Sequence, residues 1–143
     1  MPSTLKQSPG GVDSEGLSRI LIADDDPEIR SSLDKLLCFI GHEVKTVEDG
    51  LEAIRELGRA SYDVLIADIV MPRQDGLGCL MEAHKEYPEL IMIAISGGGK
   101  KRNASYLKMA RSFGAVATFD KPFAPRELIA KLDELVGRVP QPG

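Results

Sequence analysis

The sequence predicts an α/β fold in which five parallel β-strands form one doubly wound sheet with helices on both faces. Two patterns predict it. Short apolar runs alternate along the chain with longer segments of helical periodicity, which is typical of repeated β-α units. Most of these runs are apolar at every position, as in strands that are buried on both faces. With right-handed crossovers, the expected arrangement is (βα)5 with strand order 2-1-3-4-5.

The predicted strands are short and well separated. The first, third and fourth are continuous apolar runs, whereas the second alternates polar and apolar residues and is therefore expected at an edge of the sheet. In chain order, the strands are predicted at residues 20–23, 43–47, 64–67, 91–95 and 115–119.

Each strand precedes a segment with an apolar face at helical spacing. Asp26 is the expected N-cap of the first helix, with Pro27 at its first position and Gly41 at its end. Asp49 is expected to cap the second helix. The apolar positions of the successive helices are Ile29, Leu33, Leu36, Leu37 and Ile40; Leu51, Ile54 and Leu57; Leu77, Leu80, Met81 and Ala83; Tyr106, Leu107, Met109, Ala110 and Phe113; and Leu128, Ile129, Leu132, Leu135 and Val136.

Length and composition indicate one folded domain with short extensions. The 143 residues are 43% apolar, which suits a single packed core. Residues 1–18 are rich in Ser, Pro and Gly without periodicity, so they are expected to form a disordered N-terminal tail. Residues 138–143 are expected to form a C-terminal tail. The folded domain is therefore predicted to span residues 19–137.

Composition also argues against several classes of protein. No segment approaches the ~20 apolar residues of a membrane helix. The N-terminus lacks the apolar core of a secretory signal, so a cytoplasmic location is expected. The net charge of −4 argues against non-specific nucleic-acid binding. Cys38 and Cys79 lie in apolar helical patterns and are expected to pack there, with a disulfide left open by the sequence. His42 and His84 are expected at the surface or at a strand edge.

Residues suited to phosphoryl chemistry stand at the carboxyl ends of four predicted strands. Asp24 and Asp25 follow the first strand, Asp68 the third, Ser96 the fourth and Lys121 the fifth. In an open parallel sheet, ligands bind in the crevice outside the carboxyl ends of the strands. The sequence therefore predicts that these side chains converge on one site.

The residue types suggest a role for each position. Asp68 is the candidate nucleophile, since a carboxylate can attack a phosphoryl group and form an acyl phosphate. Asp24 and Asp25 can hold Mg²⁺, which favours oxygen ligands and needs few from the protein. Lys121 and Ser96 can contact phosphoryl oxygens. Each residue taken singly is better explained as a helix cap, a turn or a solvated charge; their joint occurrence favours a functional site.

Three motifs resemble the receiver domain of bacterial two-component response regulators, which has a flavodoxin-like fold. They are the Asp24-Asp25-Asp26 run after the first strand, the Met71-Pro72-x-x-Asp75-Gly76 segment that follows Asp68, and Phe119-Asp120-Lys121-Pro122-Phe123. The resemblance covers residues 19–137. It implies that Asp68 is the phosphoacceptor and that Ser96 and Lys121 contact the phosphoryl group. It also implies that Asp24, Asp25, Asp68 and the main-chain carbonyl of Val70 bind Mg²⁺, and that the Lys121–Pro122 bond is cis.

The chain departs from this family at the position that usually reports phosphorylation. Three residues before the lysine the family usually has Tyr or Phe, whereas this chain has Thr118, with Phe119 one position later. The segment between Ser96 and Lys121 is also slightly longer than usual and opens with three glycines. The resemblance therefore predicts intact phosphorylation chemistry and leaves open how the signal leaves the domain.

The expected function is that of a single-domain response regulator. Its partners would be a sensor histidine kinase or a His-containing phosphotransfer protein, and a downstream protein target. About 140 residues leave no room for a DNA-binding output domain, so no nucleic-acid partner is expected. Two alternatives remain: a haloacid-dehalogenase-type phosphohydrolase using Asp24-x-Asp26, and a pseudo-receiver that binds partners without phosphorylation.

Overall fold

A computed structural model describes residues 18–69, 76–96 and 108–136 of the chain. The strands are β1 (Arg19–Ala23), β2 (Glu43–Val47), β3 (Val64–Asp68), β4 (Ile91–Ser96) and β5 (Ala117–Asp120). The helices are α1 (Pro27–Ile40), α2 (Gly50–Arg59), α3 (Gly76–Glu86), α4, of which residues 108–112 are described, and α5 (Pro125–Leu135).

All five strands pair in parallel in the order β2-β1-β3-β4-β5, which confirms the predicted topology. The alternation of side chains along each strand divides the core between the two faces of the sheet. In β1, Ile20 and Ile22 pack with one cluster, and Leu21 and Ala23 pack with the other. Both faces are thus covered, which explains why the central strands are apolar at every position.

The cluster on one face is completed by α1 and α5, and the cluster on the other by α2, α3 and α4. Leu33, Leu37, Leu128 and Leu132 belong to the first of these clusters. The second contains Ala53 and Leu57 of α2, Cys79, Leu80 and Ala83 of α3, and Ala110 of α4. Of the apolar positions predicted for α4, Tyr106 and Leu107 lie outside the described residues.

The predicted N-caps of α1 and α2 and the predicted C-terminal end of α1 are confirmed. Asp26 accepts a hydrogen bond from the Glu28 amide at 2.9 Å, and Asp49 accepts one from the Glu52 amide at 2.9 Å. Both are N-caps in extended backbone. Gly41 ends α1 with φ of 118°, a left-handed conformation that glycine adopts at little steric cost. These residues set where α1 begins and ends and where α2 begins, and both N-caps lie next to the carboxyl ends of the strands.

The predicted start of the last strand was wrong by two residues. Ala115 was expected in the strand, but its amide donates to Ala110 O at 3.0 Å and so still caps the end of α4. Gly114, with φ of 116°, turns the chain at this point. β5 therefore begins only at Ala117. At their other ends, β3, β4 and β5 each extend one residue further than predicted, and β1 starts one residue earlier.

Two predictions about exposure were also wrong, those for Ser18 and Cys38. Ser18 was assigned to the tail, but it is buried, and its amide donates to Nδ1 of His42 at 2.9 Å. His42, expected at the surface or at a strand edge, is buried directly before the edge strand β2, so the second alternative agrees with the structure. Cys38 is exposed, since it follows the buried Leu37 on α1 and therefore lies off the buried face of the helix.

Both cysteines are free thiols, and Cys79 is buried as predicted. The Cys38 thiol contacts Asp34 Oδ1 at 3.2 Å, and this hydrogen bond raises the pKa of the thiol above its usual value. Within the described ranges, no helix combines the length and apolar content that a membrane span requires.

Candidate functional site

The turn between β1 and α1 separates the roles of three consecutive aspartates. Asp24 is almost fully buried, and its Oδ1 accepts from the Asp26 amide at 2.8 Å. The Asp26 carboxylate is occupied as the N-cap of α1, as predicted. Asp25 between them is exposed. The turn thus presents Asp24 and Asp25 to the crevice and commits Asp26 to the helix.

Asp68 and Lys121 meet at the same edge of the sheet. Asp68 is the last residue of β3 and is 4% exposed. The Lys121 ammonium lies 3.1 Å from Asp68 Oδ2 and 2.9 Å from Asp24 Oδ2. One cation therefore bridges two carboxylates that lie 44 positions apart in sequence, Asp24 just after β1 and Asp68 at the end of β3. The predicted convergence of these residues is present in the structure.

The contacts of Lys121 hold it in the charged form. Its partial burial by itself would lower the pKa of the ammonium. The hydrogen bonds and charges of Asp24 and Asp68 outweigh that effect, and the pKa of Lys121 is raised above its usual value. The ammonium in turn screens two carboxylates that would otherwise repel each other in a buried environment.

The acidic residues form a cluster that fits a divalent cation. Asp24, Asp25 and Asp68 each offer a carboxylate oxygen, and these atoms lie within 4.8 Å of one another. The three carboxylates outnumber the Lys121 ammonium that contacts two of them, so the cluster carries an excess of formal negative charge that favours a cation. The donor set is all oxygen, and the exposure of Asp25 gives water access to the site. Mg²⁺ prefers such sites, since it keeps several of its waters. The acidic cluster can therefore hold a metal ion.

Ser96 and Val70 complete the list of predicted site residues. Ser96 is the last residue of β4 and is fully buried. Its carbonyl accepts a hydrogen bond from the Lys121 amide at 2.7 Å, which joins the ends of β4 and β5 beside the cluster. The Lys121–Pro122 bond is cis, as the resemblance implied. Val70 and the three glycines that follow Ser96 lie outside the described residues.

Phe119 lies on the other face of the sheet from Thr118. Ala117 and Phe119 both pack with the cluster beneath α1 and α5, and the Phe119 ring contacts the Phe123 ring in a tilted arrangement with centroids 5.5 Å apart. Thr118, between them, is half-buried and must face the opposite side because strand side chains alternate. Phe119 therefore does not replace the missing aromatic residue at position 118.

A shallow groove of about 220 Å³ lies near the amino ends of β1 and β2, away from the acidic cluster. It is lined by Arg19, Glu43, Val44, Lys45, Glu56 and Tyr62. Several of its polar groups contact one another. Arg19 contacts Glu43 at 3.0 Å and stacks on the Tyr62 ring, and the Tyr62 hydroxyl donates to Glu56 at 2.6 Å. The groove is thus polar, and none of its lining residues belongs to the acidic cluster.

The sequence matches one protein family over most of its length. The match is to the family described as "Response regulator receiver domain", and it covers residues 20–133. The chain belongs to this family. The matched region includes the described elements from β1 to α5, apart from Arg19 at the start of β1 and the last two residues of α5.

Solved receiver domains have the same fold. A CheY-like response regulator receiver domain protein from Methanospirillum hungatei JF-1 is 32% identical, with a TM-score of 0.77, and the match covers 84% of this chain and 94% of that one. A putative response regulator from Chloroflexus aurantiacus is 26% identical with a TM-score of 0.77, covering 85% of this chain and 99% of that one.

Curated relatives are about twice as long as the matched region. The probable transcriptional regulator ycf27 of Guillardia theta is 34% identical, and the match covers 89% of this chain and 48% of that protein. Response regulator MprA of Mycobacterium leprae is 33% identical over 84% of this chain and 51% of that protein. The chain thus spans about half the length of these relatives. The expected absence of a DNA-binding output domain and of a nucleic-acid partner therefore stays a prediction.

Proposed function

We propose that this receiver domain accepts a phosphoryl group on Asp68 from a sensor histidine kinase or a His-containing phosphotransfer protein. The observation that carries the proposal is the position of Lys121. Its ammonium lies within hydrogen-bond distance of both Asp68 and Asp24. A carboxylate at a strand end, a fixed cation beside it and further carboxylates around both are the groups that phosphoryl transfer to an aspartate needs.

The transfer balances with the groups present. An oxygen of Asp68 forms a bond to phosphorus while the P–N bond of the donor phosphohistidine breaks, and the imidazole nitrogen leaves with the electron pair and takes a proton from water. The product is a mixed anhydride on Asp68. As the phosphoryl group arrives, Lys121 can exchange its contact with the Asp68 carboxylate for a phosphoryl oxygen, since its ammonium already lies beside that residue.

Mg²⁺ is the proposed cofactor. Asp24, Asp25 and Asp68 would hold it, with the main-chain carbonyl of Val70 as a further ligand. When bound, it reduces the repulsion between the carboxylate nucleophile and an anionic donor. Asp25 is the exposed member of the cluster, so it is positioned to meet a hydrated ion first. Asp24 and Asp68 are buried, and the Lys121 ammonium contacts both.

Two further roles belong to the proposal. Ser96 would contact the phosphoryl group through its hydroxyl, and its place at the end of β4 beside the Lys121 amide supports this. The downstream target is proposed to be a protein, with the domain acting as a relay intermediate, a phosphate sink or an allosteric partner. Thr118 occupies the usual switch position but has no ring to move inward, so the signal would leave by another route.

The phosphohydrolase alternative is not favoured by the geometry. It requires Asp24 and Asp26 to act together as nucleophile and acid. In the structure the Asp26 carboxylate caps α1, and its own amide donates to Asp24. We therefore propose that the domain retains a phosphoryl group as a signal and does not turn over an external phosphomonoester.

Incubation with Mg²⁺ and acetyl phosphate or phosphoramidate tests the assignment. Intact mass should increase by one phosphoryl group, and hydroxylamine should remove it because an acyl phosphate is an anhydride. Asp68→Asn should abolish the labelling. Asp26→Asn is the matched control, since asparagine also caps helices and should leave labelling in place. Equal labelling of Asp68→Asn would contradict the proposal. A wild-type protein that stays unlabelled but binds its partners would instead indicate a pseudo-receiver.

A further inference from the structure

Arg30 reaches back from α1 to the acidic cluster. It is the fourth residue of the helix, and its side chain is half-buried. Side chains on a helix point toward its N-terminus, which directs this guanidinium toward the β1–α1 turn. Its Nη1 donates to the main-chain carbonyl of Asp24 at 2.8 Å. The charged donor and short distance make this a charge-assisted hydrogen bond.

The accepted carbonyl belongs to the peptide that joins Asp24 to Asp25. The rest of Asp24 is held by other contacts: its amide donates to Val47 O at 3.2 Å, and its carboxylate contacts the Asp26 amide and Lys121. The orientation of the peptide after Asp24 determines where the exposed Asp25 side chain points. Arg30 therefore holds the peptide before Asp25, and the Asp26 amide holds the peptide after it, so both contacts aim the Asp25 carboxylate.

We propose that Arg30 is a positioning residue for the cation site, which keeps the Asp25 carboxylate within reach of Asp24 and Asp68. The inference rests on the proposed Mg²⁺ role of the acidic cluster. Arg30 would act through the main chain and would not itself contact the ion. Its contribution is to form the site before the ion arrives, so that binding does not have to order the turn.

The charge of Arg30 has an effect of opposite sign, which makes the inference testable. A cation near the cluster repels Mg²⁺, so its removal would tighten metal binding if charge were the dominant effect. Loss of the hydrogen bond would loosen binding, because residues that orient metal ligands are typically worth about 10- to 100-fold in affinity. The two roles therefore predict changes in Mg²⁺ affinity in opposite directions.

The experiment measures Mg²⁺ affinity by titration calorimetry with MgCl₂ in wild type, Arg30→Met, Arg30→Lys and Lys35→Met. Lys35 is an exposed cation on the same helix, so its substitution reports the general effect of one lost charge. We expect Arg30→Met to bind about tenfold more weakly. Arg30→Lys should bind with intermediate affinity, and Lys35→Met should bind as wild type or slightly more tightly. Equal or tighter binding by Arg30→Met would overturn the inference.

A second measurement needs no metal. In EDTA, the amide NMR signals of residues 24–26 should shift or broaden in Arg30→Met and stay in place in Lys35→Met. Unchanged signals in Arg30→Met would also overturn the inference. If Arg30→Met does not fold, Arg30→Lys tests the inference by both measurements. Wild-type Mg²⁺ affinity and wild-type amide signals in Arg30→Lys would show that the planar guanidinium is not needed, and would overturn the inference. A wild-type protein that binds no Mg²⁺ would overturn the proposed cofactor role instead.

Discussion

Among single residues, Lys121 makes the contacts on which the site most depends. Its ammonium is paired with two carboxylates that are 1% and 4% exposed, so neither Asp24 nor Asp68 can rely on water to stabilise its charge. A buried ion pair adds little net stability by itself, but removal of one partner leaves an uncompensated charge. The lysine thus has a structural role in the free protein besides its proposed role in catalysis.

Lys121→Met should destabilise the metal-free protein by about 3–5 kcal/mol, the usual cost of breaking a buried pair. Urea unfolding in EDTA measures this value. Added Mg²⁺ should stabilise the variant more than the wild type, since the ion then supplies the missing positive charge. Lys131→Met is a suitable control, because Lys131 pairs with Glu134 on the surface of α5 and such pairs contribute little. Equal stability of both variants in EDTA would contradict this account.

The raised pKa of Lys121 fixes the sign of a pH effect. Because the folded-state pKa lies above the unfolded value of about 10.4, the stabilisation is complete below that pH. It is lost as the pH rises through the folded-state pKa. The difference in unfolding free energy between wild type and Lys121→Met should therefore stay constant from neutral pH to about pH 10 and shrink above it. If the difference in unfolding free energy already shrinks below about pH 9, a group other than Lys121 causes the pH effect.

The ends of the helices set where the strands can begin. Gly114 illustrates this: its φ of 116° turns the chain out of α4, and Ala115 then caps that helix before β5 starts. A side chain here would be strained and crowded. An added Cβ would lie 2.7 Å from His84 Cγ on α3 and 2.7 Å from Met92 Cε on β4.

Gly114→Ala should therefore destabilise the domain by more than the about 1–2 kcal/mol of the left-handed backbone alone. Gly58→Ala is the matched control, since Gly58 lies inside α2 and its nearest neighbour would be the Tyr87 hydroxyl at 3.9 Å. That substitution should be neutral or stabilising by about 0.5–1 kcal/mol. Thermal or urea unfolding of the two variants checks the prediction, and a Gly114→Ala protein as stable as Gly58→Ala would refute it.

Over the whole molecule, the packed domain is expected to be independent of residues 1–17. This segment offers too little apolar surface to offset the entropy of ordering it. Ser18 marks the limit, because it is buried against His42 and its carbonyl accepts from the Glu43 amide at 2.9 Å. A protein that starts with Met before Ser18 should keep its stability to within about 0.5 kcal/mol.

Urea unfolding and Asp68 labelling of this truncated protein are the measurements. His42→Ala provides a reference for damage at the same end of the domain, since it removes the acceptor of the Ser18 amide and leaves a cavity. It should be clearly less stable than the truncated protein. A truncation that is as harmful as His42→Ala would show that the N-terminal segment packs on the domain.

Local sequence patterns were sufficient to predict the architecture and the end of the sheet at which the candidate site lies. Apolar runs that alternate with helical periodicity are local patterns, and right-handed parallel connections leave few ways to arrange them. Strands of one direction then place Asp24, Asp68 and Lys121 at the same edge, so their convergence could be predicted without knowing any distance. The caps at Asp26 and Asp49 were predictable for the same reason, because a cap depends on neighbouring residues only.

The partner of each polar group, in contrast, could be read only from the packed domain. The sequence assigned Lys121 to a phosphoryl oxygen, whereas the folded domain pairs it with Asp24 and Asp68. The contact of Arg30 with the Asp24 carbonyl and the burial of His42 were likewise not predicted. Such contacts depend on distances between segments that meet only after the sheet and helices have packed. Sequence spacing fixes which edge or face a residue occupies, but the packed fold fixes what lies within three ångströms of its charge.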